Sequence, residues 1–176
     1  WGYILGDEGS AYNIAIQGMR SALRAYDGRS EATILQQRFI EHLNLRSIED
    51  LIEVVYRRGW SVKDIAALAP IVDRAADEGD LIASNIINQA VNELVIATQV
   101  VIDAIFRENE VLEVVTVGSV WRSLSNMQQR YRESIVRRSP LVKVIYPHNE
   151  PAYGAGLLAL KSLTKFFIRQ PYSNYS

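Results

Sequence analysis

The sequence predicts an α/β fold in which helices dominate. Apolar residues recur at helical spacing over most of the 176 residues. Two short β-branched segments, residues 111–118 and 141–147, interrupt that spacing and read as strands. A helical pattern follows each strand, and this order is typical of parallel α/β sheets, whose ligand loops lie at the carboxyl ends of the strands.

The first half of the chain carries a series of helix-start signals. Ser10 is expected to cap a helix that runs to about Tyr26 and stops at Gly28. Ser30 is expected to cap a second helix, over residues 31–43. Two further pairs resemble capping boxes with Asp in place of the preferred Glu, namely Ser47 with Asp50 and Ser61 with Asp64.

The longest helix is expected over residues 81–107, with Asp80 as its cap. The helix before it has Pro70 in its first turn and ends at Gly79. The apolar stripe of the long helix is wide, so we expect this helix to be central and well buried. The stripe consists of Ile86, Ile87, Ala90, Val91, Leu94, Val95, Ala97, Val101 and Ile105.

The two strands, at residues 111–117 and 141–146, are expected to be adjacent and parallel. A helix near residues 123–138 joins them, and a right-handed crossover is expected. Residues 1–5 are a candidate for a short third strand. Three short strands are few for so many helices, which suggests that part of the sheet lies outside this chain.

Composition limits the chemistry. With 48% hydrophobic and 22% charged residues, the chain is expected to form one soluble globular domain. The absence of cysteine excludes disulfides, thiolate metal sites and cysteine nucleophiles within these residues. The longest apolar stretch, residues 94–106, is broken by Thr98, Gln99 and Asp103, so no membrane span is expected. His42 and His148 are far apart in sequence and read as structural.

The net charge of −1 hides an asymmetry. Residues 1–120 carry 10 Lys/Arg against 18 Asp/Glu, whereas residues 121–176 carry 9 Lys/Arg against 2 Glu. A solvated basic helix face is the commonest reason for such a pattern. Polyanion binding and contact with a nucleotide are the alternatives, and a nucleic-acid partner is not expected.

The segment GDEGS, residues 6–10, precedes the first long helix. Gly6 and Gly9 allow a sharp turn or a close approach of the backbone. Two interpretations are open for the acidic pair: Asp7 or Ser10 simply caps the helix, or Asp7 accepts hydrogen bonds from ligand hydroxyls. In the second case Trp1 would supply an apolar ring face, and a carboxylate with an indole is a common way to hold a sugar.

The segment VGSVW, residues 117–121, lies at the turn between the first strand and its helix. Gly118 and Ser119 would expose backbone N–H groups there, which suits ribose or phosphate oxygens. A plain turn is the alternative. Neither a P-loop motif nor a Ser-His-Asp or metal-ligand pattern is present.

Four segments together resemble one known family. They are WGYILGDEGSAYNIA (1–15), IAALAPIVDRAADEGD (65–80), VVTVGSVWRS (114–123) and EPAYGAGLLAL (150–160). In this order they resemble the C-terminal part of the N-acetylglucosamine kinases, a group of BadF/BadG/BcrA/BcrD-type ATPases in the actin, hexokinase and Hsp70 superfamily. GDEGSAY is the specific segment, and the other three are supportive.

The resemblance implies that residues 1–176 form the ribonuclease-H-like, actin-like C-terminal lobe of a two-lobed enzyme, without the lobe's first strands. It also implies two sets of contacts. The sugar contacts fall on Trp1, Gly2 and Asp7, and the ATP contacts fall on Ala66, Ser119 and Ser123. Gly6, Gly9 and Gly118 would support the two loops.

The implied reaction transfers the γ-phosphoryl group of ATP to the sugar 6-hydroxyl, with Mg²⁺. In that scheme Asp7 orients the sugar, no catalytic residue lies in this chain, and residues 1–176 alone are expected to be inactive. The resemblance further implies a cytoplasmic homodimer formed through this lobe. Plausible contributors to the dimer are Phe166, Phe167, Arg169, Tyr172 and Tyr175.

Two other functions remain open. The first is an ATPase of the same family with another role, such as activating a dehydratase through an Fe–S cluster shared by a dimer. The absence of cysteine argues against that version within these residues. The second is a non-catalytic domain that regulates or dimerises.

Overall fold

The structure, a computed structural model, describes residues 2–57, 59–106, 110–118 and 120–168. It confirms the prediction of a helix-dominated α/β fold. Before the sheet come α1 (Gly2–Leu5), α2 (Ala11–Tyr26), α3 (Leu35–Leu43), α4 (Val62–Ala66), α5 (Ala69–Asp77) and α6 (Leu81–Ile105), with a 3₁₀ turn at Ile48–Asp50 and a π-helical turn at Glu53–Arg57. Then follow β1 (Leu112–Val115), α7 (Val120–Ser123), α8 (Ser125–Arg138), β2 (Val142–Ile145) and α9 (Pro151–Ile168).

The interpretation of the first residues as a strand is wrong, because Gly2–Leu5 forms one helical turn, α1. The Gly6 N–H donates to the Gly2 carbonyl at 3.0 Å and closes that turn. The ring of Tyr3 meets Tyr12 of α2 edge-on, with 5.1 Å between centroids. A run of only a few apolar residues has no period by which to tell strand from helix, so packing on α2 decides the outcome.

Three of the expected helix caps are confirmed. The Ser10 hydroxyl accepts a hydrogen bond from the Asn13 N–H at 3.1 Å, and α2 ends at Tyr26 as expected. Asp80 caps α6 by accepting from the Ala83 N–H at 2.8 Å. Ser61 and Asp64 form a complete capping box at the start of α4. In each case the backbone N–H that the cap binds lies three residues farther along the chain, so the cap could be predicted from local sequence.

Two expected caps are wrong. Helix α3 begins at Leu35 rather than after Ser30. Its start is fixed by the Asp80 carboxylate, which accepts from the Ile34 N–H and from the Thr33 hydroxyl, each at 2.8 Å. The Ser47 side chain makes no cap hydrogen bond to the 3₁₀ turn, so the expected capping box is not formed; the Asp50 carboxylate accepts from the Arg46 N–H at 3.0 Å, and the N–H groups of Arg46 and Ser47 lower its pKa.

The core is built mainly where α2, α3, α5 and the first half of α6 meet. Pro70 stands in the first turn of α5, as expected. The prediction that α6 is well buried holds only for its first half, since Val101 is 50% exposed and Ile105 is 69% exposed. Helices α2, α5 and α8 all pack against α6, and α8 contacts it both in its first half, where Arg130 meets Ser84 and Asn88, and at Thr98 farther on.

The two strands are adjacent and parallel, as predicted. The register pairs Leu112 with Val142 and Val115 with Ile145. The chain passes from β1 to β2 through α7 and α8, and α8 packs against both β2 and α6. Both strands therefore end on the same side, where a ligand site is expected in such a fold.

The last helix, α9, stands apart from this packing. Its side chains from Pro151 to Leu163 are all exposed. The residues named above as contributors to a dimer fall outside the described side chains. Among the described residues, no helix combines the length and hydropathy needed to cross a membrane.

Candidate functional site

A cleft of about 500 Å³ lies at the carboxyl ends of the two strands. Its walls are the loops that leave β1 and β2, together with the first turn of α7. The described lining residues are Thr116, Val117, Gly118, Trp121, Tyr146, Pro147, His148, Asn149, Glu150 and Pro151. This position outside the strand ends is where open α/β sheets bind ligands, and the volume suits a small molecule.

Thr116 joins the two loops of the cleft. Its backbone N–H and its hydroxyl both donate to the Ile145 carbonyl, at 3.0 and 3.2 Å. The side chain is buried. Because one residue ties the end of β1 to the end of β2, the two walls of the cleft are held at a defined separation.

The β1 loop turns at Gly118, whose φ is +123°. An added Cβ would meet nothing within 4 Å, so the backbone conformation, rather than crowding, calls for glycine there. Of the two serines predicted to contact ATP, Ser119 lies outside the described residues. Ser123 ends α7, and its side chain is likewise not described.

Trp121 links this cleft to a second, mostly apolar cavity of about 540 Å³ between α6 and β1. Its ring packs against Tyr131 of α8, with 4.8 Å between centroids. The Tyr131 hydroxyl lies 2.7 Å from the Thr98 hydroxyl. Since the Thr98 hydroxyl proton is donated to the Leu94 carbonyl (2.8 Å), Tyr131 is the donor in this pair. Burial raises the pKa of Tyr131 above its usual value, so it stays a neutral donor.

The GDEGS loop leaves Asp7 available. Ser10, not Asp7, caps α2, which resolves the choice between the two capping residues. Asp7 is exposed and has a left-handed backbone with a φ of 67°. Its carbonyl accepts from the Ser10 N–H at 3.0 Å. Its carboxylate has no hydrogen bond or ion pair to any residue that the structure describes.

Gly9 anchors this loop to α6. Its φ is +80°, and an added Cβ would lie 2.6 Å from the Leu94 side chain and 2.8 Å from the Ala90 carbonyl oxygen. Only glycine permits that backbone conformation and that approach together. Leu94 also lines the apolar cavity beside Trp121. The loop of Asp7 therefore approaches a side chain that lines the same cavity as Trp121.

The other predicted site residues lie as follows. Gly2 opens α1 and is exposed, and Gly6 closes that turn next to Asp7. Trp1 lies outside the described residues. Ala66 ends α4 and is half-buried, and it is not among the described residues that line the strand-end cleft. The structure thus groups Gly2, Gly6, Asp7 and Gly9 and does not bring Ala66 to the cleft.

Residues 1–159 match the sequence profile of the BadF/BadG/BcrA/BcrD ATPase family. The chain belongs to this family. The match covers both loops described above and the two strands between which the cleft opens.

Two curated relatives extend this assignment of the BadF-type chain. It is 36% identical over 159 residues to the N-acetylmuramic acid/N-acetylglucosamine kinase of Clostridium acetobutylicum. The aligned region covers 90% of this chain and 52% of the relative. It is 33% identical over 167 residues to the N-acetyl-D-glucosamine kinase of Dictyostelium discoideum. Here the aligned region covers 92% of this chain and 51% of the relative. The chain spans about half the length of the curated relatives it matches.

Asp73 is a residue of this BadF-type domain that sequence reasoning missed. It lies on α5, is 3% exposed, and accepts from the Met127 N–H in the first turn of α8 at 3.3 Å. Burial raises its pKa, against the opposing effect of hydrogen bonds from the Met127 and Asn126 N–H groups. Helix α8 has no side-chain cap of its own, so Asp73 takes that place from another helix. The only sequence signal was an acidic residue within the apolar face of α5.

Trp121, Tyr131 and Thr98 were also missed as a set, although Trp121 stands in the quoted segment VGSVW. Their spacing along the chain carries no signal, because they lie on different helices. Among the described residues, no group of three His, Cys, Asp or Glu side chains is placed to hold a metal ion.

Proposed function

We propose that this chain is part of an ATP-dependent N-acetylglucosamine kinase, which transfers the γ-phosphoryl group of ATP to the sugar 6-hydroxyl. The observation that carries the proposal is the similarity, over nine-tenths of the chain, to two kinases that both have N-acetylglucosamine in their names. N-Acetylglucosamine is therefore the substrate to test first.

Residues 1–176 are proposed to form the C-terminal, ribonuclease-H-like lobe of a two-lobed enzyme, with the described strands belonging to a larger sheet. The outer edge of β1 is consistent with this, since it has no strand partner among the described residues. Two parallel strands alone make a poorly stabilised sheet.

The sugar side of the site is assigned to Trp1, Gly2 and Asp7. Asp7 supports the assignment because its carboxylate is exposed and free of partners within the described part of the chain. A carboxylate accepts from sugar hydroxyls through charge-assisted hydrogen bonds. Gly9 holds the loop against α6, so Asp7 is presented from a fixed base. Asp7 orients the sugar and does not act as the base.

The nucleotide side is assigned to the strand-end cleft, with Ser119, Ser123 and Ala66 as the proposed ATP contacts. Its walls offer backbone groups at Gly118 and a ring at Trp121 that suit an adenosine. Mg²⁺ is proposed to enter bound to the phosphates, since the described residues form no ligand cluster for it. Its charge would favour phosphoryl transfer.

The test is sugar-dependent ADP formation by the full-length protein. With N-acetylglucosamine, ADP should accumulate, and ³¹P NMR should show a phosphomonoester on O6. N-Acetylmuramic acid, N-acetylmannosamine and glucosamine, run in parallel, rank the substrates. ATP consumption that is independent of sugar would favour another ATPase role, and failure to bind nucleotide would favour a non-catalytic domain.

We further propose that the protein is a cytoplasmic homodimer. Exposed apolar side chains on α9, including Leu157, Leu158 and Leu163, support an interface near this helix. Light scattering of the full-length protein should give the mass of two chains, and a monomer mass at all concentrations would contradict the dimer.

A further inference from the structure

A cavity of about 520 Å³ lies between α6 and α8. It shares no lining residue with the strand-end cleft in the part of the chain that the structure describes. Most of its walls are polar. The described lining residues are Ser84, Asn88, Val91, Asn92, Val95, Arg130, Glu133, Ser134, Arg137 and Arg138.

The charges around this cavity are unbalanced. Arg130, Arg137 and Arg138 line it against a single carboxylate, Glu133. None of the three arginines forms an ion pair with a described carboxylate. Glu133 accepts from the Gln129 side chain at 3.0 Å. The lining therefore has an excess of positive charge, although the charge of Arg130 also interacts with the buried carboxylate of Asp73 on α5.

Arg130 is the positioned member of this set. Its Nη1 donates to the Asn88 side-chain oxygen at 2.6 Å and to the Ser84 carbonyl at 3.3 Å. Its Nη2 and Nε make no hydrogen bond to any described residue. Contacts to α6 thus hold the guanidinium in place while two of its nitrogens remain available. A planar guanidinium held in this way is suited to bidentate contact with a phosphoryl group.

We propose that this cavity binds the phosphoryl group of a phosphorylated small molecule, with Arg130 as the principal contact and Arg137 and Arg138 as supporting charges. The side chains of Asn88, Asn92 and Ser134 would receive the polar remainder of the ligand. The volume lies in the range of small-molecule sites. This site is additional to the nucleotide cleft and does not depend on the kinase activity.

Two larger partners fit the cavity less well. A protein partner needs an apolar centre, and this lining contributes only Val91 and Val95. A nucleic acid needs a long basic track, but the arginines of this cavity all lie on α8, and the described part of its α6 wall contributes no basic residue. A compact anion needs neither an apolar centre nor a long basic track.

The experiment titrates inorganic phosphate into the full-length protein at constant ionic strength and measures the change in Tm. No nucleotide is added, because an ATP analogue is itself a phosphorylated small molecule and would compete for the cavity; the arginine variants locate the binding instead. We expect a saturable rise in Tm. Arg130→Lys keeps the charge but loses the fork, and it should weaken the apparent affinity about tenfold.

Two further variants keep the result decisive. The exposed pair Arg137→Gln and Arg138→Gln should also weaken binding, and this variant decides the matter if Arg130→Lys fails to fold. Arg132→Gln is the matched control, because Arg132 is exposed on the same helix and does not line the cavity. The proposal is overturned if phosphate gives no saturable shift, if neither cavity variant weakens binding, or if Arg132→Gln weakens binding as much as the others.

Discussion

The Asp73 carboxylate on α5 accepts a hydrogen bond from the backbone N–H of Met127 at 3.3 Å, across 54 residues of sequence. This contact caps α8 directly after the turn of α7, and α8 also supplies Tyr131 beneath Trp121. A helix of the core thereby fixes α8, whose Tyr131 supports Trp121 in the wall of the candidate nucleotide cleft.

Removing this cap should destabilise the protein. Asp73→Ala leaves the buried Met127 N–H without an acceptor, and the expected cost is about 1–3 kcal/mol in the free energy of unfolding. Asp73→Asn keeps an acceptor oxygen and should cost less at neutral pH. Urea unfolding of the two variants measures both values, and equal losses would contradict a capping role.

The wild type and the Asp73→Asn variant should differ in how their stability depends on pH. Burial raises the pKa of Asp73 in the fold, so folding favours its protonated form relative to the unfolded chain. Its contribution to stability is present below the unfolded pKa of about 3.9 and is lost as pH rises through the folded pKa. Stability of the wild type relative to Asp73→Asn should therefore fall as pH rises from about 4. A difference that grows with pH would mean that the folded pKa is lowered.

Substitution of Gly9 should be costly for two separate reasons. Alanine there meets the Ala90 carbonyl oxygen at 2.8 Å and also has to adopt a φ of +80°. We expect a loss of about 2–4 kcal/mol in the free energy of unfolding. Gly28→Ala is the matched control, because Gly28 has a φ of +71° but nothing within 4 Å of an added Cβ. Its cost should be about 1–2 kcal/mol. Equal losses would show that crowding against α6 adds nothing.

Asp7→Asn should weaken sugar binding without unfolding the protein. Asparagine tolerates the left-handed backbone that Asp7 adopts, with a φ of 67°. Loss of the charged acceptor should cost about 1.5–3 kcal/mol of binding free energy. Calorimetric titration of the full-length protein with N-acetylglucosamine measures this, with Glu8→Gln at the exposed neighbouring position as the control. Unchanged affinity in Asp7→Asn would remove Asp7 from the sugar site.

Tyr131→Phe should have a small effect on folding. The variant loses the hydrogen bond to Thr98, but Thr98 still donates to the Leu94 carbonyl. The expected loss is about 1 kcal/mol in the free energy of unfolding. Tyr131→Ala also removes the ring that supports Trp121, and it should weaken ATP binding by the full-length protein as well as folding. Unaltered ATP affinity in a folded Tyr131→Ala would separate Trp121 from the nucleotide site.

Local sequence determined the features whose partners lie close along the chain. The caps at Ser10, Ser61 and Asp80 each bond a group three residues away, so spacing alone revealed them. The two strands could be predicted because short β-branched runs, each followed by a helical pattern, are typical of strands in an α/β fold. Their parallel pairing follows from the helices that connect them. The sequence also indicated the family, because most of the segments that carry the resemblance lie within residues 1–159, which match the family profile.

Tertiary structure decided the features whose partners are distant. The start of α3 depends on Asp80, 46 residues beyond Ile34, which no local pattern at Ser30 reveals. The helical form of Gly2–Leu5 depends on Tyr12, because four residues have no period of their own. GDEGS indicated a turn, but only packing on α6 shows that Gly9 meets the Ala90 carbonyl. Spacing encodes hydrogen bonds within a turn, whereas contacts between elements depend on how whole faces pack.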